Sequence, residues 1–240
     1  MKVVLIGIAT FVSTLLGGMF ALRYKDKLHL ILGFSAGAVI GVAFFDLLPE
    51  AIALQSGSSN PSLVSLMVGA GFVAYLILDR TVILLSHGGE EHGVLQHRGT
   101  LAAASLSMHS FLDGAVIGFA FQVSAAVGAI VTIAVLTHDF SDGINTVSLI
   151  LRGNGTRSKA SWWLLTDALA PLFGILAAGL LPLPRYALGG VLAIFCGFFL
   201  YIGASELLPE SYHAHPKILT TVMTLLGIAL LYVVIQIAKM

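Results

Sequence analysis

Two hexapeptides carry the side chains best suited to do chemistry. They are His109-Ser110-Phe111-Leu112-Asp113-Gly114 and His138-Asp139-Phe140-Ser141-Asp142-Gly143, and both read H-x-F-x-D-G. In each, a histidine and an aspartate stand four residues apart, so a helix projects them from one face, one turn from each other. Both hexapeptides lie inside long apolar stretches, where ionisable groups are costly unless they face protein or water. If the two faces meet, two imidazoles and two carboxylates converge. That donor set suits a borderline divalent ion such as zinc, with iron(II), manganese, cobalt and cadmium as competitors. The two aspartates then balance the +2 charge. Asp139 adds a carboxylate about 100° around the helix from His138, suited to a second metal position. A single His–Asp pair would read as a hydrogen-bonded tie between helices. Two matching pairs read as a metal site.

The elements that must position these residues are membrane-spanning helices. Of 240 residues, 58% are hydrophobic and only 10% charged, with a mean hydropathy of +0.98. Soluble domains carry roughly 25% charged residues, so the chain is expected to be an all-α integral membrane protein. The formal net charge is zero, which offers no basic surface for nucleic acid. A single cysteine, Cys196, rules out an intramolecular disulfide. Spanning a bilayer takes about 20 apolar residues. Such runs cover 2–22, 29–54, 61–86, 101–123, 127–150, 160–182, 186–211 and 217–238, which predicts eight transmembrane helices in one domain over 1–240. The first run, followed by Arg23, Lys25 and Lys27, reads as a span rather than a signal peptide. With the N-terminus outside, only Lys2, Arg185 and Lys239 of the twelve basic residues stay outside, so both termini are expected there. Short loops suggest a prokaryotic plasma membrane.

An internal repeat supports a further expectation. The second run contains Phe45-Asp46-Leu47-Leu48-Pro49-Glu50, and the seventh contains Ser205-Glu206-Leu207-Leu208-Pro209-Glu210. These runs cross in opposite directions. The chain therefore reads as three helices, a central pair and three inverted helices, a 3+2+3 inverted repeat of the kind transporters use around a midplane site. Asp46 and Glu206 would draw cations into vestibules on opposite sides. Asp167 would face the metal path or bond a neighbouring helix. The loop 87–100, with His87, His92 and His97, suits weak accessory metal binding on the cytoplasmic side. Gly33, Gly37 and Gly41 form a small-xxx-small stripe for close helix contact. No G-x-x-x-x-G-K-[ST] motif is present, which excludes a P-loop ATP-driven pump, and no organic cofactor is expected. The alternative to a transporter is an intramembrane metal-dependent hydrolase that uses the same His/Asp cluster to activate water.

With these residues in view, the sequence resembles the Zrt/Irt-like (ZIP) family of divalent metal transporters along essentially its whole length. The specific part is the H-x-x-x-[DE]-G motif at His109, Asp113 and Gly114 and at His138, Asp142 and Gly143. The resemblance implies that His109, Asp113, His138 and Asp142 bind metal and that Asp139 is a ligand of a second metal position. It also implies zinc uptake into the cytoplasm, a homodimer, and an elevator-like movement of one helix bundle against another. Three features depart from the family pattern. Leu112 and Ser141 stand where a proline usually precedes the acidic residue, Ser110 replaces a frequent asparagine, and Ala170 rather than a glutamate precedes Pro171.

Overall fold

The computed structural model describes residues 2–21, 28–55, 61–86, 94–152, 154–213 and 218–238, and among these every regular element is helical. The elements are α1 (Lys2–Ala21), α2 (Leu28–Val42), α3 (Leu48–Gln55), α4 (Pro61–Ser86), α5 (Val94–Val123), α6 (Ala125–Arg152), α7 (Arg157–Gly179), α8 (Arg185–Tyr201), α9 (Leu208–His213) and α10 (Ile218–Ala238). Among the described residues, seven helical segments are long and apolar enough to cross a membrane, and Leu5–Ala21 is a shorter apolar helix. The protein is an all-α, multi-pass membrane protein.

Helix α5 begins at Val94, earlier than the apolar run starting at residue 101 implies. Residues 94–100 are thus helix rather than loop, because a helix is free to continue past the hydrocarbon when no proline stops it. The α5–α6 connection is Ser124 alone, whose hydroxyl accepts from the Val127 amide at 3.1 Å and so caps α6.

The repeated L-L-P-E sequences shape the backbone. Proline lacks an N–H, and its ring crowds the carbonyl four residues earlier. For Pro49 and Pro209 those carbonyls belong to Phe45 and Ser205. Each falls in a stretch of π-helix, Ala43–Leu47 before α3 and Ile202–Leu207 before α9. The widened turn is visible in the hydrogen bonds: the Leu48 amide donates to Ala43 O, and the Leu208 amide to Gly203 O, five residues back in both cases. The Cys196 thiol also donates to Ala43 O, at 3.3 Å.

The helices sort into two groups. One contains α1, α5, α6 and α7, and the other α2, α4, α8 and α10 with the short α3 and α9. Besides the central α5–α6 pair, four helix pairs dominate the packing: α1 with α6, α5 with α7, α2 with α10, and α4 with α8. Exchanging the first three spans for the last three, and α5 for α6, maps these pairs onto one another, as a 3+2+3 inverted repeat requires. Every pair is closed by two reciprocal glycines. A Cβ on Gly17 would strike Phe140 O, and one on Gly143 would strike Thr14 O. Gly114 and Gly174 lie in the same way against Pro171 O and Phe111 O. Gly37 and Gly227 face Thr224 O and Phe34 O, while Gly71 and Gly197 face Ile194 O and Val68 O. Without a hydrophobic force between helices in lipid, such backbone approach supplies the van der Waals contact that holds them. Gly114 and Gly143 directly follow Asp113 and Asp142, so each glycine seats one aspartate-bearing helix against its neighbour.

The crossing at Gly37 is testable because α2 carries none of the four His/Asp residues. Gly37→Val is expected to lower the melting temperature of the detergent-solubilised protein, overpacking costing about 1–3 kcal/mol. Gly69→Ala, whose added Cβ would meet nothing within 4 Å, should leave it unchanged. Equal melting temperatures for the two variants would contradict the reciprocal-glycine packing.

Candidate functional site

His109 and Asp113 stand halfway along α5, and His138 and Asp142 halfway along α6. The His–Asp spacing places each pair on one face, and the two faces meet. One ligand atom from each of the four residues lies within 4.8 Å of all the others. His109 Nε2 is 3.1 Å from Asp113 Oδ2 and 3.6 Å from Asp142 Oδ2. His138 Nε2 is 3.0 Å from Asp113 Oδ2 and 3.9 Å from Asp142 Oδ2. A tetrahedral zinc ion with bonds of about 2.0–2.1 Å sets its ligand atoms about 3.4 Å apart. The four His–Asp separations straddle that value, and the remaining two pairs lie within 4.8 Å. All four side chains are buried, His138 completely. Two imidazole nitrogens and two carboxylate oxygens around one point can strip water from a divalent cation and neutralise its charge.

Each histidine is oriented by its other ring nitrogen. His138 Nδ1–H donates to Ala134 O at 3.0 Å, one turn back on α6. That carbonyl can only accept, so the neutral ring keeps a lone pair on Nε2, which faces the cluster. His109 Nδ1 is 2.9 Å from the Tyr75 hydroxyl on α4. Partners of this type fix tautomer and ring angle at metal sites.

The remaining acidic residues occupy different surroundings. Asp139 is fully buried, and neither carboxylate oxygen has a hydrogen-bond partner. Asp167 is fully buried and doubly paired: Ser110 Oγ donates to Oδ1 and Thr146 Oγ1 to Oδ2, each at 2.8 Å. It therefore ties α7 to α5 and α6. Asp46 is completely buried in the first π-helical stretch, whereas Glu206 in the second is half-buried. Asp79 accepts from the Tyr201 hydroxyl at 2.7 Å. His87 and His92 lie outside the described residues, and of His97 only its place on α5 is described.

Some contacts around the site carry no signal in the sequence. Ser35 on α2 donates to Thr137 O at 2.9 Å and lies 3.1 Å from Ser141 Oγ, so it meets α6 beside His138 and Asp142. Tyr75 reads as one more aromatic in an apolar run. Gln122 reads only as helix punctuation. Its amide donates to Ala178 O at 2.8 Å, and its carbonyl accepts from the Leu183 amide at 3.1 Å, closing the turn after α7.

Comparisons with known proteins agree with this architecture. A family model described as ZIP zinc transporter matches residues 86–235. The chain is 29% identical over 192 residues to the zinc transporter ZIP13 of Pongo abelii, covering 75% of this chain and 57% of that protein. It is 31% identical over 115 residues to the metal cation symporter ZIP14 of Xenopus tropicalis, covering 47% of this chain and 25% of that one. The zinc transporter ZupT of Corynebacterium aurimucosum is 28% identical over 223 residues, with 83% of both chains covered. The chain thus spans little more than half the length of its ZIP13 relative. By the family match and these relatives, named as transporters and not as hydrolases, the chain belongs to the ZIP family.

Proposed function

We propose that the protein carries divalent metal cations, zinc first among them, across a membrane into the cytoplasm through the His109, Asp113, His138 and Asp142 cluster. The observation that carries this reading is the convergence of four buried ligand atoms at separations suited to one tetrahedral ion. The matched family and the names of the relatives support the same substrate class. Iron(II), manganese, cobalt and cadmium are the competing substrates by donor type. Asp139, buried without a partner beside the cluster, serves a second cation position. Asp46 and Glu206 attract cations from opposite sides. Asp167, held by two hydroxyls, keeps the site helices together, which suits a structural role better than a place on the path. The reading places all of residues 1–240 in one transport domain in a plasma membrane, with both termini outside, as a homodimer.

Zinc uptake into proteoliposomes tests this directly. Wild-type protein is expected to fill the vesicles, whereas His138→Ala and Asp142→Ala, at matched protein levels, fall to the leak of empty vesicles. Variants that carry zinc as fast as wild type would take the cluster off the transport path. Acidifying both sides together from neutral to about pH 5 should slow wild-type uptake, since protonated imidazole and carboxyl groups cannot ligate. A rate that rises as the pH falls would contradict coordination by these groups.

A further inference from the structure

His109 and His138 present the same Nε2 atom to the cluster but are oriented from different places. The partner of His138 Nδ1 is Ala134 O on its own helix, so it travels with the ring. The partner of His109 Nδ1 is Tyr75, 2.9 Å away on α4, which packs with α8 in the other helix group. The geometry points to Tyr75 as a positioning residue for metal capture, holding the His109 imidazole so that Nε2 faces the four-ligand cluster. This rests on the reading of that cluster as the metal site.

Three observations support the role. Tyr75 is buried, 4% exposed, and wedged between rings, with Tyr201 at 5.3 Å and Phe198 at 5.5 Å between centroids, so its hydroxyl has a fixed place. Tyr201 is anchored in turn, its hydroxyl donating to Asp79 Oδ2 at 2.7 Å. A phenol can also both donate and accept. With the cluster empty, His109 Nε2–H donates to Asp113 while Nδ1 accepts from the Tyr75 O–H. With a cation on Nε2, the imidazole proton sits on Nδ1 and donates to the same phenol oxygen. One hydroxyl thus serves both states of the site, as a backbone carbonyl could not.

The consequence is an asymmetry between the two ligands. His138 keeps its hydrogen-bond partner however the helix groups sit relative to one another, and what it receives from the other group is the edge-on packing of Phe199 on α8. His109 keeps its own only while α4 and α5 stay in this arrangement, so any shift of one group against the other weakens the site through one ligand.

Zinc titration of the purified full-length protein tests the role. The set is wild type, Tyr75→Phe, His109→Ala, the double variant Tyr75→Phe/His109→Ala, and His138→Ala. Loss of a partner of this type weakens metal affinity by roughly 10–100-fold, and Tyr75→Phe should fall in that range. In the His109→Ala background the same change should move affinity by less than about twofold. In zinc-loaded protein labelled with nitrogen-15 at histidine, Tyr75→Phe should shift the His109 Nδ1–H resonance and leave that of His138 in place. Tight zinc binding that is lost in His138→Ala but indifferent to Tyr75→Phe would overturn the positioning role alone. An equal loss in both backgrounds would overturn it too, in favour of a merely structural part. Wild-type protein that binds no zinc would overturn the reading of the site itself, and the positioning role with it.

Discussion

The structure is organised by the problem of placing four ionisable side chains, His109, Asp113, His138 and Asp142, inside an apolar bundle. Alone, each would cost several kcal/mol to bury. Their mutual geometry meets part of that cost: the His109 imidazole can donate from Nε2 to Asp113 Oδ2, 3.1 Å away. Each Nδ1 has an oxygen partner within 3.0 Å. On the proposed reading a divalent cation meets the rest, since two carboxylates match its charge. The same features that make the cluster costly when incomplete give it a donor set suited to a small, doubly charged ion with borderline ligand preference.

Such a cluster needs helices that approach closely and do not slip, and glycine provides this. Gly114 and Gly143, next to Asp113 and Asp142, bring α5 against α7 and α6 against α1 at backbone distance. Two further reciprocal glycine pairs do the same for α2 with α10 and α4 with α8. The inverted repeat thus appears as one packing device used four times. The π-helical stretches before Leu48 and Leu208 repeat in the same way, each produced by a proline two residues on, and each placing an acidic residue, Asp46 or Glu206, beside a widened turn. The two helix groups share an apolar core that includes Val39, Val42 and Phe199 from one and Val116, Ile117 and Ile130 from the other, and polar contacts cross it where Ser35 meets α6 and Tyr75 meets His109.

Much of this was legible in the sequence, for physical reasons that differ by element. Apolar runs gave the spanning helices because length and hydropathy are what a bilayer selects. The paired H-x-F-x-D-G motifs marked the cluster because i, i+4 spacing fixes a face without tertiary information. The Gly33, Gly37 and Gly41 stripe marked the α2–α10 contact for the same reason. Other features depend on which surfaces meet. Tyr75 and Ser35 are ordinary residues in apolar runs until α4 and α2 are laid beside α5 and α6. From the sequence Asp167 suits either a metal path or a helix contact, and two hydroxyls from other helices donate to it. The early start of α5 was hidden because polar residues continue a helix beyond the apolar run as readily as they end it. The π-helical turns are foreshadowed by Pro49 and Pro209, but a proline in a helix equally allows a kink.

On the proposed reading, one divalent ion sits among two imidazole nitrogens and two carboxylate oxygens. X-ray absorption at the zinc edge of zinc-loaded protein tests it most directly. The expected spectrum shows a four-coordinate shell of nitrogen and oxygen at about 2.0–2.2 Å, with the outer-shell scattering of two imidazole rings. His138→Ala should reduce that scattering to one ring. A shell containing sulfur, or a spectrum unchanged in His109→Ala and His138→Ala, would place the metal elsewhere and contradict the account.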